Sequence, residues 1–530
     1  MKRVRAARST RKRTLGVTAL AGLTAAAALA VAGAGWSTPS GPADSAAGPK
    51  RGGVLKVGRV ADAISFDPVF LTDNMSIWAK LLLFQLLVRT SKDGKGVVPD
   101  LADRWSHSTD GQTWTFHIRK GAGFSDGQPV TSADVKFSFQ RVITSKGSWA
   151  AALFPKMTIS TPKVDTVVFK LKEKWAPFLA DVSVHGAAII EKKYFQKVGA
   201  KTFSDKPIGS GPFYVATWKK GNEIVLKRNS HFWDKTRPYL DEVDLLVLPD
   251  DNTRMLKVQS GEIDIGEDVP FNQINKLKSA PGIQMLVQPY DRIDWIQFNE
   301  KNAKFKSAKV RQAVNYAVDR NAIVKTVLFG HGEVPTSFLP KMAFTDTQNK
   351  PYPYDVAKAK QLLAQSPYPK GFKTTVTVVA GDTIGAQVAS IAKAQLKQIG
   401  IDLQIRQLEG ATQYSDLALG KYEMAEGYMT SDIIDPSELI AYAGAGDEGT
   451  YSVWTWYNNK QVNKLASDGL RELNPAKRAA IYTKMQQQIW KDAPYLWLYW
   501  SPARTAVRSN VHGYSKLPTG NYWLENVWKS

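Results

Sequence analysis

The chain has 530 residues, which is more than one hydrophobic core can serve, since single cores stop growing at roughly 250–300 residues. Its composition, 43% hydrophobic and 22% charged, is that of a globular protein and excludes wholesale disorder. The absence of cysteine excludes disulfides, zinc–thiolate sites, iron–sulfur clusters and thiol nucleophiles. We therefore expect two or three lobes.

The formal net charge is +22 at pH 7, and seven of the positive charges lie within residues 1–13. A basic chain can attract nucleic acid or an anionic surface. After residue 13, however, the sequence has no run of five or more basic residues. This pattern favours a solvated, lysine-dotted surface, and we expect no nucleic-acid partner.

The N-terminus has the order of an export signal. The basic residues 1–13 are followed by an apolar, alanine-rich stretch, 15–34, which ends in small residues. This order predicts a secretory signal peptide over residues 1–35. The alternative is a retained membrane anchor, because about 20 apolar residues can span a bilayer.

The segment after the apolar stretch is rich in small residues. Residues 36–50 read as a flexible linker. Residues 34–38 are similar to the lipobox of bacterial lipoproteins, with Trp36 in the place of the lipid-bearing cysteine, so we expect no lipid anchor. No later segment has 18 consecutive apolar residues, which predicts an exported, soluble mature chain.

The predicted elements alternate between strands and helices along the chain. In the first half, Thr131 and Asp134 form a capping-box pattern that predicts the start of a helix. The apolar stretch 75–88 predicts a buried helix with little polar face. Alternating or apolar runs predict strands at 53–60, 114–119, 164–171, 225–228 and 243–249.

The second half predicts parallel sheet. A strand at 373–379, a helical stripe at 384–399 and a strand at 401–405 form one βαβ unit, with Gly400 ending the helix. Further helices are predicted at 310–329 and 475–491, and a strand at 494–501. The fold class is therefore α/β.

Catalytic motifs are missing from the sequence. The six histidines form no HExxH pair, and the sequence has no G-x-S-x-G elbow, no Walker A loop and no G-x-G-x-x-G. Ser390 and Lys393 match S-x-x-K without the K-T-G that a serine acyl-enzyme needs. Asp432 and Asp435 are either a carboxylate pair for acid–base work or part of an Asp-Pro turn. We expect a binding protein, with no catalytic residue, metal or cofactor.

Several segments in order resemble the family 5 solute-binding proteins of ABC importers, the dipeptide- and oligopeptide-binding group. The longest is residues 98–142, VPDLADRWSHSTDGQTWTFHIRKGAGFSDGQPVTSADVKFSFQRV. The others are PIGSGPFYV (207–215), LKRNSHFW (226–233), VRQAVNYAVDR (310–320), YDVAKAKQLL (354–363) and QLKQIGIDLQIRQ (395–407).

The resemblance implies a periplasmic-binding-protein-like, two-lobed clamp of type II, with an extra satellite subdomain in the first lobe. The first lobe would comprise residues 50–290 and 503–530, with the satellite at about 81–205. The second lobe would comprise 291–502. Two crossing strands, at 290–298 and 497–502, would act as the hinge.

The resemblance also implies a set of ligand-binding residues. Gly427 to Pro436 is similar to the family's Gly-Trp…Asp…Asp-Pro loop, in which the first Asp pairs with the peptide α-ammonium. Asp432 would take that role, with Tyr428 as the aromatic neighbour; the alternative for Asp432 is a turn or helix-capping carboxylate. The family's cleft-facing loop would correspond to Thr72 to Asn74, which otherwise reads as a plain connection.

Two tryptophans complete the predicted site. Trp454 and Trp456 precede Tyr457, near the place where the family lines its pocket. The alternative is that both are ordinary core tryptophans. Residues 379–383, after the βα strand, supply no arginine of the kind that clamps a dipeptide carboxylate in this group, which favours a longer peptide or another solute.

The sequence thus predicts an extracytoplasmic receptor that captures peptides and delivers them to an ABC permease with a separate ATPase. We expect a monomer. The alternatives are a receptor for a nickel chelate, an opine or an oligosaccharide, and a secreted hydrolase. Nickel chelate would require Arg and His around the cleft, and no such cluster is visible in the sequence.

Overall fold

A computed structural model describes residues 48–70, 73–145, 149–444 and 455–530. The predicted signal peptide and most of the predicted linker lie outside the described residues. Two of the predicted ligand-binding residues, Thr72 and Trp454, lie outside them as well.

The elements up to residue 260 are strand-rich. They are β1 (Val54–Arg59), α1 (Asn74–Leu83), β2 (Val88–Thr90), β3 (Val97–Pro99), β4 (Ala102–His107), β5 (Thr113–Ile118), α2 (Ser132–Thr144), β6 (Met157–Lys163), β7 (Thr166–Leu171), α3 (Phe178–Asp181), α4 (Lys192–Asp205), β8 (Phe213–Lys219), β9 (Glu223–Arg228), β10 (Glu242–Val247) and α5 (Asp251–Ser260).

The elements after residue 260 alternate more regularly. They are β11 (Ile265–Glu267), α6 (Ile274–Lys278), β12 (Ile283–Gln288), β13 (Arg292–Phe298), α7 (Ala308–Ala317), α8 (Arg320–Thr326), α9 (Val356–Ala364), β14 (Lys373–Val379), α10 (Thr383–Leu396), β15 (Asp402–Leu408), α11 (Gly410–Leu419), β16 (Met424–Thr430), α12 (Ser437–Leu439), α13 (Lys460–Arg471), α14 (Pro475–Asp492), β17 (Tyr495–Trp500), β18 (Ala503–Arg508), β19 (Val511–His512) and β20 (Trp528–Lys529).

The largest sheet, sheet A, has the strand order β12-β18-β11-β1-β10-β9-β8. Its central strand β1 runs parallel to both neighbours, β10 and β11. Leu55 and the continuous run Val57 to Arg59 are buried in β1, as expected for a strand in the middle of a sheet with parallel neighbours. The C-terminal strand β18 lies between β11 and β12, so the chain returns to this sheet at its end.

A smaller antiparallel sheet, sheet B, has the order β4-β5-β7-β6. Helix α2 follows β5 and begins at the predicted capping box, where the Thr131 N–H donates to the Asp134 carboxylate at 2.9 Å. A hydrophobic cluster built mainly from residues 87–189 belongs to this region. The proposed boundaries of a satellite subdomain, 81–205, stay a prediction.

The third large sheet, sheet C, has the order β15-β14-β16-β13-β17. The predicted βαβ unit is confirmed: β14 and β15 pair in parallel, and α10 connects them. Gly400 ends the helical segment with a φ of 82°, a left-handed conformation that glycine adopts without steric cost. The mixed α/β fold class is therefore confirmed.

Two short connections join sheets A and C. The chain passes from β12 to β13 through residues 289–291, and from β17 back to β18 through residues 501–502. Strands β13 and β17 pair with each other in sheet C. The connections overlap the ends of the predicted crossings, 290–298 and 497–502, most of which lie in β13 and β17. The hinge and the lobe boundaries stay predictions.

Two predicted helices are shorter than expected. Helix α1 ends at Leu83 because Phe84 is extended, and the Leu86 N–H donates to the Asp100 carboxylate at 2.8 Å instead of continuing the helix. The stretch 310–329 is two helices, α7 and α8, because the Asp319 carboxylate accepts from the Ala322 N–H and starts a new helix. Hydrophobic periodicity continues across that break and conceals it. Across the described residues, no helix combines the length and the apolar character needed to cross a membrane.

Candidate ligand-binding site

The loop that carries Asp432 is fixed by its backbone. It follows β16, and the Ser431 N–H donates to the Asp291 carbonyl at 3.0 Å, which ties the loop to the connection between sheets A and C. The Asp432 N–H donates to the Glu438 carboxylate at 2.8 Å, and the Ser431 hydroxyl donates to the same oxygen at 3.1 Å. Asp432 thus sits on a braced turn, with 11% of its side chain exposed.

Groups from the first half of the chain face Asp432. The His185 Nε2 lies 3.4 Å from the Asp432 Oδ2, and His185 belongs to a 3₁₀ turn, His185–Ala187. Lys80 of helix α1 is 1% exposed, and its Nζ donates to the Asp67 carbonyl at 3.2 Å. The carboxylate is therefore enclosed between the loop after β16 and elements from the first half of the chain.

Burial sets the protonation of this cluster. It raises the pKa of Asp432 to about 7, against the opposing effect of the Lys80 charge. It lowers the pKa of Lys80 to about 8, against Asp67, Asp73 and Asp432. Burial also lowers the pKa of His185 well below its usual value, with Lys80 adding to the effect, so the imidazole is neutral at pH 7.

Glu438 belongs to the same cluster. Burial, and then the Asp432 charge, raise the pKa of Glu438 well above its usual value. Two carboxyl groups that are close together and poorly solvated disfavour a doubly ionised state. An added cation beside Asp432 would relieve this penalty, so the cluster suits a positively charged ligand group.

Tyr428 lies on β16, shortly before the Asp432 loop, and is half exposed. In the register of sheet C it is opposite Asp294, while Arg292 is opposite Thr430. The Arg292 guanidinium lies over the Tyr428 ring at 3.7 Å from its centroid. The predicted aromatic neighbour of Asp432 thus packs against an arginine.

Asn74 connects helix α1 with sheet C. Its amide donates to the Tyr290 hydroxyl at 3.4 Å, and its carbonyl oxygen accepts from the Thr430 hydroxyl at 3.5 Å. Both are long contacts that a ligand could replace. Asn74 therefore lies with Tyr428 and Asp432 on the same part of the surface between the sheets.

Trp456 lies elsewhere. The Lys301 Nζ is 3.0 Å from the centroid of its ring, and its Nε1 is close to Gly420 at the end of α11. Lys301 and Gly420 lie beyond the Phe298 end of β13, whereas Tyr428 and Asp432 lie towards its Arg292 end. At about 3.3 Å per residue, the length of β13 separates these two places, so the structure does not bring Trp456 together with Asp432.

Asp435 has a structural partner. Its two carboxylate oxygens accept from the Arg478 guanidinium at 2.5 and 2.8 Å, and the Arg478 Nη2 also donates to the Tyr482 hydroxyl at 2.9 Å. The Ser437 hydroxyl donates to Asp181, on helix α3, at 3.2 Å. Asp435 therefore anchors the loop, and it is not available as an acid–base partner of Asp432.

The same loop inserts an apolar side chain into the sheet B region. Ile433 is fully buried within the hydrophobic cluster that contains Phe169 and Phe178. Nearby, the Ala176 N–H donates to the Leu470 carbonyl at 2.7 Å. The Asp432 loop therefore packs against the sheet B region through Ile433, and Ser431 ties it to the connection between sheets A and C.

Sequence reasoning missed Lys80, His185, Glu438 and Arg292. Lys80 is a cation inside an otherwise apolar stretch, and that pattern is a signal that it would be buried with a partner. His185 and Glu438 carry no local signal, because only the folded chain brings them to Asp432. No group of three or more His, Asp or Glu side chains that could hold a metal ion occurs among the described residues.

The comparison with family models agrees with this fold. Residues 96–451 match the model described as bacterial extracellular solute-binding proteins, family 5 Middle. The chain belongs to this family. Among curated proteins, the family 5 chain is 30% identical over 474 residues to the probable D,D-dipeptide-binding periplasmic protein DdpA of Escherichia coli (strain K12), with 87% of this chain and 91% of that protein covered.

Solved structures show the same fold. The chain superposes with a TM-score of 0.83 on DppA of Helicobacter pylori in complex with the peptide STSA, at 29% identity, covering 91% of this chain and 98% of that one. It superposes with a TM-score of 0.82 on AgaA of A. tumefaciens R10 in complex with agropinic acid, at 28% identity, covering 90% and 99% of the two chains. The family 5 fold is therefore shown over nearly the whole chain.

Proposed function

We propose that this family 5 solute-binding protein captures peptides outside the cytoplasm and delivers them to an ABC permease that works with a separate ATPase. The observation that carries the proposal is the enclosed Asp432 carboxylate, whose burial disfavours its charge. A peptide α-ammonium would add a positive charge to the one that Lys80 supplies, and charge-assisted hydrogen bonds in a desolvated cleft are roughly twice as strong as neutral ones.

Three more side chains would complete the site. Tyr428 offers a half-exposed ring and Asn74 an amide with two weak contacts that a peptide backbone can replace. Thr72 and Trp454 stay candidate ligand contacts by the family resemblance, and they lie outside the described residues. Trp456 is the weakest candidate, because its contacts are at the other end of β13.

An opine is the second candidate ligand. AgaA, which is about as similar in structure to this chain as the peptide-bound DppA is, was solved with agropinic acid. The hydrolase alternative has less support, since Asp435 is engaged by Arg478 and the Glu438 carboxylate beside Asp432 accepts hydrogen bonds from the Asp432 N–H and the Ser431 hydroxyl. We expect capture without turnover, by a monomer.

Ligand recovered with the exported protein tests the proposal. The full chain is purified from the exported fraction, denatured to release bound solute, and the extract is identified by mass spectrometry. Refolded, ligand-free protein is then melted with a peptide library; ligand at about 100 times its Kd adds about 2.7 kcal/mol to the stability of the folded state. Intact peptides and an increased Tm are expected. An opine in the extract, no response to peptides, or hydrolysed peptides would each overturn the peptide receptor.

The cellular location of the mature protein has a separate test. The sequence has Trp36 where a lipoprotein would carry cysteine, so we expect a free, unlipidated protein with its N-terminus after the signal peptide. N-terminal sequencing and fractionation check this. An intact Met1, or recovery only as a species that needs detergent, would contradict it.

A further inference from the structure

The charges in the second half of the chain are unevenly distributed. Residues 301–408 contain 16 Lys and Arg against six Asp and Glu, whereas residues 409–502 contain eight against twelve. A charge asymmetry between neighbouring parts of one chain is typical of proteins that contact a polyanion or an anionic surface. The sequence has no basic run here, so the fold decides whether these cations meet.

Six exposed lysines lie at one end of sheet C. They are carried by the segment before α7, by α9, by the start of β14 and by the end of α10 with the turn that follows it. These six form the basic face: Lys306, Lys358, Lys370, Lys373, Lys393 and Lys397. Lys358 donates to the Gln361 amide oxygen at 3.1 Å, which leaves its charge uncompensated. Within the part of the chain that the structure describes, none of the six forms an ion pair with a carboxylate.

The close approach of two glycines brings the lysines of β14 and α10 together. Gly371, beside Lys370, lies against Gly400, so that a Cβ atom on Gly371 would be 1.9 Å from the Gly400 carbonyl oxygen. Gly400 ends the 3₁₀ turn that begins at Lys397, and Lys393 lies one helical turn before Lys397. Backbone packing, and not closeness in the sequence, therefore gathers these charges.

The lysines of α9 and of the segment before α7 border the same turn. The Gln398 amide donates to the Tyr354 hydroxyl at 3.3 Å, and Lys358 lies in the first turn of α9, four residues after Tyr354. The phenyl rings that precede Lys306 and Lys373 in the chain have centroids 5.8 Å apart. The basic face is thus continuous around the turn after α10.

The carboxylates beside the basic face already have partners. The Asp355 carboxylate accepts from the Lys358 N–H at 2.8 Å and starts α9. The Asp402 carboxylate accepts from the side-chain amide two residues further on at 2.6 Å. The Glu423 carboxylate accepts from Lys304 at 2.6 Å. The six lysines, which carry their charge at pH 7, therefore give this end of sheet C a positive potential.

The basic face and the candidate ligand-binding site lie at opposite ends of sheet C. Strand β14 is parallel to β16, with Val376 opposite Met424. Lys373 comes three residues before this pair and Tyr428 four residues after it, so about 23 Å separates them at about 3.3 Å per residue. A partner bound to the basic face leaves the candidate site open.

The composition of the basic face indicates the kind of partner. Arginine is preferred where a carboxylate is bound in planar, bidentate geometry, whereas lysine binds phosphate as a compact point charge. All six cations of the face are lysines. They come from four segments that surround one turn, so a flexible linear polymer can follow them in succession, whereas a flat bilayer meets only those on one side.

We propose that the basic face binds a linear, phosphate-rich polyanion outside the cytoplasm and so retains the exported protein at the cell surface by charge alone. The polymer and the solute occupy opposite ends of sheet C, so each binds without the other. A protein retained in this way is released by salt and needs no detergent, as expected for a chain without a lipid anchor.

The first test uses the exported mature protein and labelled long-chain inorganic polyphosphate. Fluorescence anisotropy at several salt concentrations measures the association constant K. With about five phosphates neutralised at about −0.7 each, log K should fall against log[salt] with a slope of about −3 to −4, roughly a hundredfold loss between about 50 and 200 mM. No binding at the lowest salt concentration, or binding that salt does not weaken, would overturn the proposal.

A bilayer is the competing partner in this test. Sedimentation with phosphatidylglycerol vesicles is measured in the same buffers, and we expect weaker binding to the vesicles than to polyphosphate at equal phosphate concentration. Stronger binding to the vesicles would overturn the polymer in favour of a membrane surface.

The second test assigns the binding to the basic face. The triple variant Lys370→Gln, Lys393→Gln and Lys397→Gln removes three of the six charges. Its slope should be shallower by about 2, and its affinity for polyphosphate at low salt should fall about tenfold or more. Because all three side chains are exposed, the melting temperature should stay that of the wild type.

The matched control removes the same charge elsewhere. Lys193→Gln, Lys197→Gln and Lys201→Gln change three exposed lysines of α4, and this variant should keep the slope and lose less than about threefold in affinity. Equal losses for the two triple variants would overturn the basic face, because net charge alone would explain the binding. Both variants should keep the wild-type response to the peptide library. A wild type that binds polyphosphate but no peptide would contradict the proposed function and leave this inference standing.

Discussion

The imidazole of His185 and the carboxylate of Asp432 meet across the candidate site, with Nε2 3.4 Å from Oδ2. His185 comes from the segment after sheet B and Asp432 from the loop after β16, so this contact joins parts of the chain that are far apart in the sequence. Because burial keeps the imidazole neutral, His185 adds no positive charge beside Asp432, and the opposing charge comes from Lys80. The carboxylate is positioned by one part of the chain and enclosed by another.

The first prediction concerns the peptide amino terminus. Asp432→Asn keeps the shape of the side chain and removes its charge, so a buried ammonium loses its counter-charge. Breaking a buried pair costs roughly 3–5 kcal/mol, and each 1.4 kcal/mol is about tenfold in affinity. Allowing for water in the site, calorimetry should show a loss beyond about tenfold for a peptide with a free amino terminus.

The acetylated peptide is the control for this prediction. It has no ammonium, so Asp432→Asn should change its affinity by less than about threefold, and the four combinations isolate the pairwise contribution. Asp468→Asn, on the exposed face of α13, should change neither peptide. If Asp432→Asn weakens both peptides equally, Asp432 is a structural turn residue.

The second prediction concerns the release of a proton from Asp432 when a peptide binds. The pKa of Asp432 is raised to about 7 in the free protein, and a bound ammonium lowers it by stabilising the carboxylate. Below pH 7 binding must therefore release a proton. Affinity should rise by up to about tenfold per pH unit as the pH approaches 7, and fall above pH 8, where the peptide α-amino group, with a pKa of about 7.7–8.0, loses its charge.

Calorimetry at pH 6 in two buffers of different ionisation enthalpy measures the released proton directly. Asp432→Asn should abolish the difference between the buffers. Lys80 and Glu438 also titrate in this cluster, so Lys80→Met, which removes the opposing charge, should raise the pKa of Asp432 and increase proton release at pH 7. Binding heats that do not depend on the buffer would refute the linkage.

The third prediction concerns the stability of the loop. Arg478 and Asp435 form a bidentate pair with 6% and 10% of their side chains exposed. Arg478→Met leaves the Asp435 charge buried without a partner and should lower the free energy of unfolding by about 3–5 kcal/mol in a urea titration. Lys464→Ala breaks the exposed pair with Asp468 and should cost less than about 1 kcal/mol. Similar losses for the two variants would contradict this.

The fourth prediction concerns closure of the proposed clamp. Small-angle scattering should give a smaller radius of gyration with saturating peptide than without it. Ile433→Ala removes a buried contact between the Asp432 loop and the sheet B cluster, worth about 2–5 kcal/mol, so the ligand-free variant should be larger than the wild type and bind peptide more weakly. Val462→Ala, buried in a different cluster, should leave the dimensions unchanged. Identical dimensions for all samples would contradict a hinge.

The fold could be predicted from the sequence where the pattern is local. The capping box at Thr131 and Asp134 and the βαβ unit that Gly400 terminates are formed by neighbouring residues, so each carries its own signal. The end of α1 at Leu83 could not be predicted, because the competing hydrogen bond comes from Asp100, in a loop that the chain reaches only later.

The candidate site shows the same difference between features with a local sequence signal and contacts that form only in the folded chain. The loop around Asp432 has a recognisable spacing, but the groups that tune it do not, since Lys80, His185 and Glu438 become neighbours only in the folded chain. Arg292 also went unnoticed, because an arginine at the start of a strand is ordinary until Asp294 and Tyr428 hold it. Trp456 shows that closeness in sequence to the expected pocket need not bring a side chain to Asp432, and its role as a ligand contact stays a prediction.

The burial of Ile433 in the cluster that contains Phe169 makes the contact between the Asp432 loop and the sheet B region an apolar one. Apolar contacts weaken on cooling, since their strength near 25 °C is almost entirely entropic. The proposed charge pair between Asp432 and a ligand ammonium would not weaken in the same way. In the cold, the loop would therefore separate more easily from the sheet B cluster, and the hold on a bound solute would depend increasingly on its charged ends.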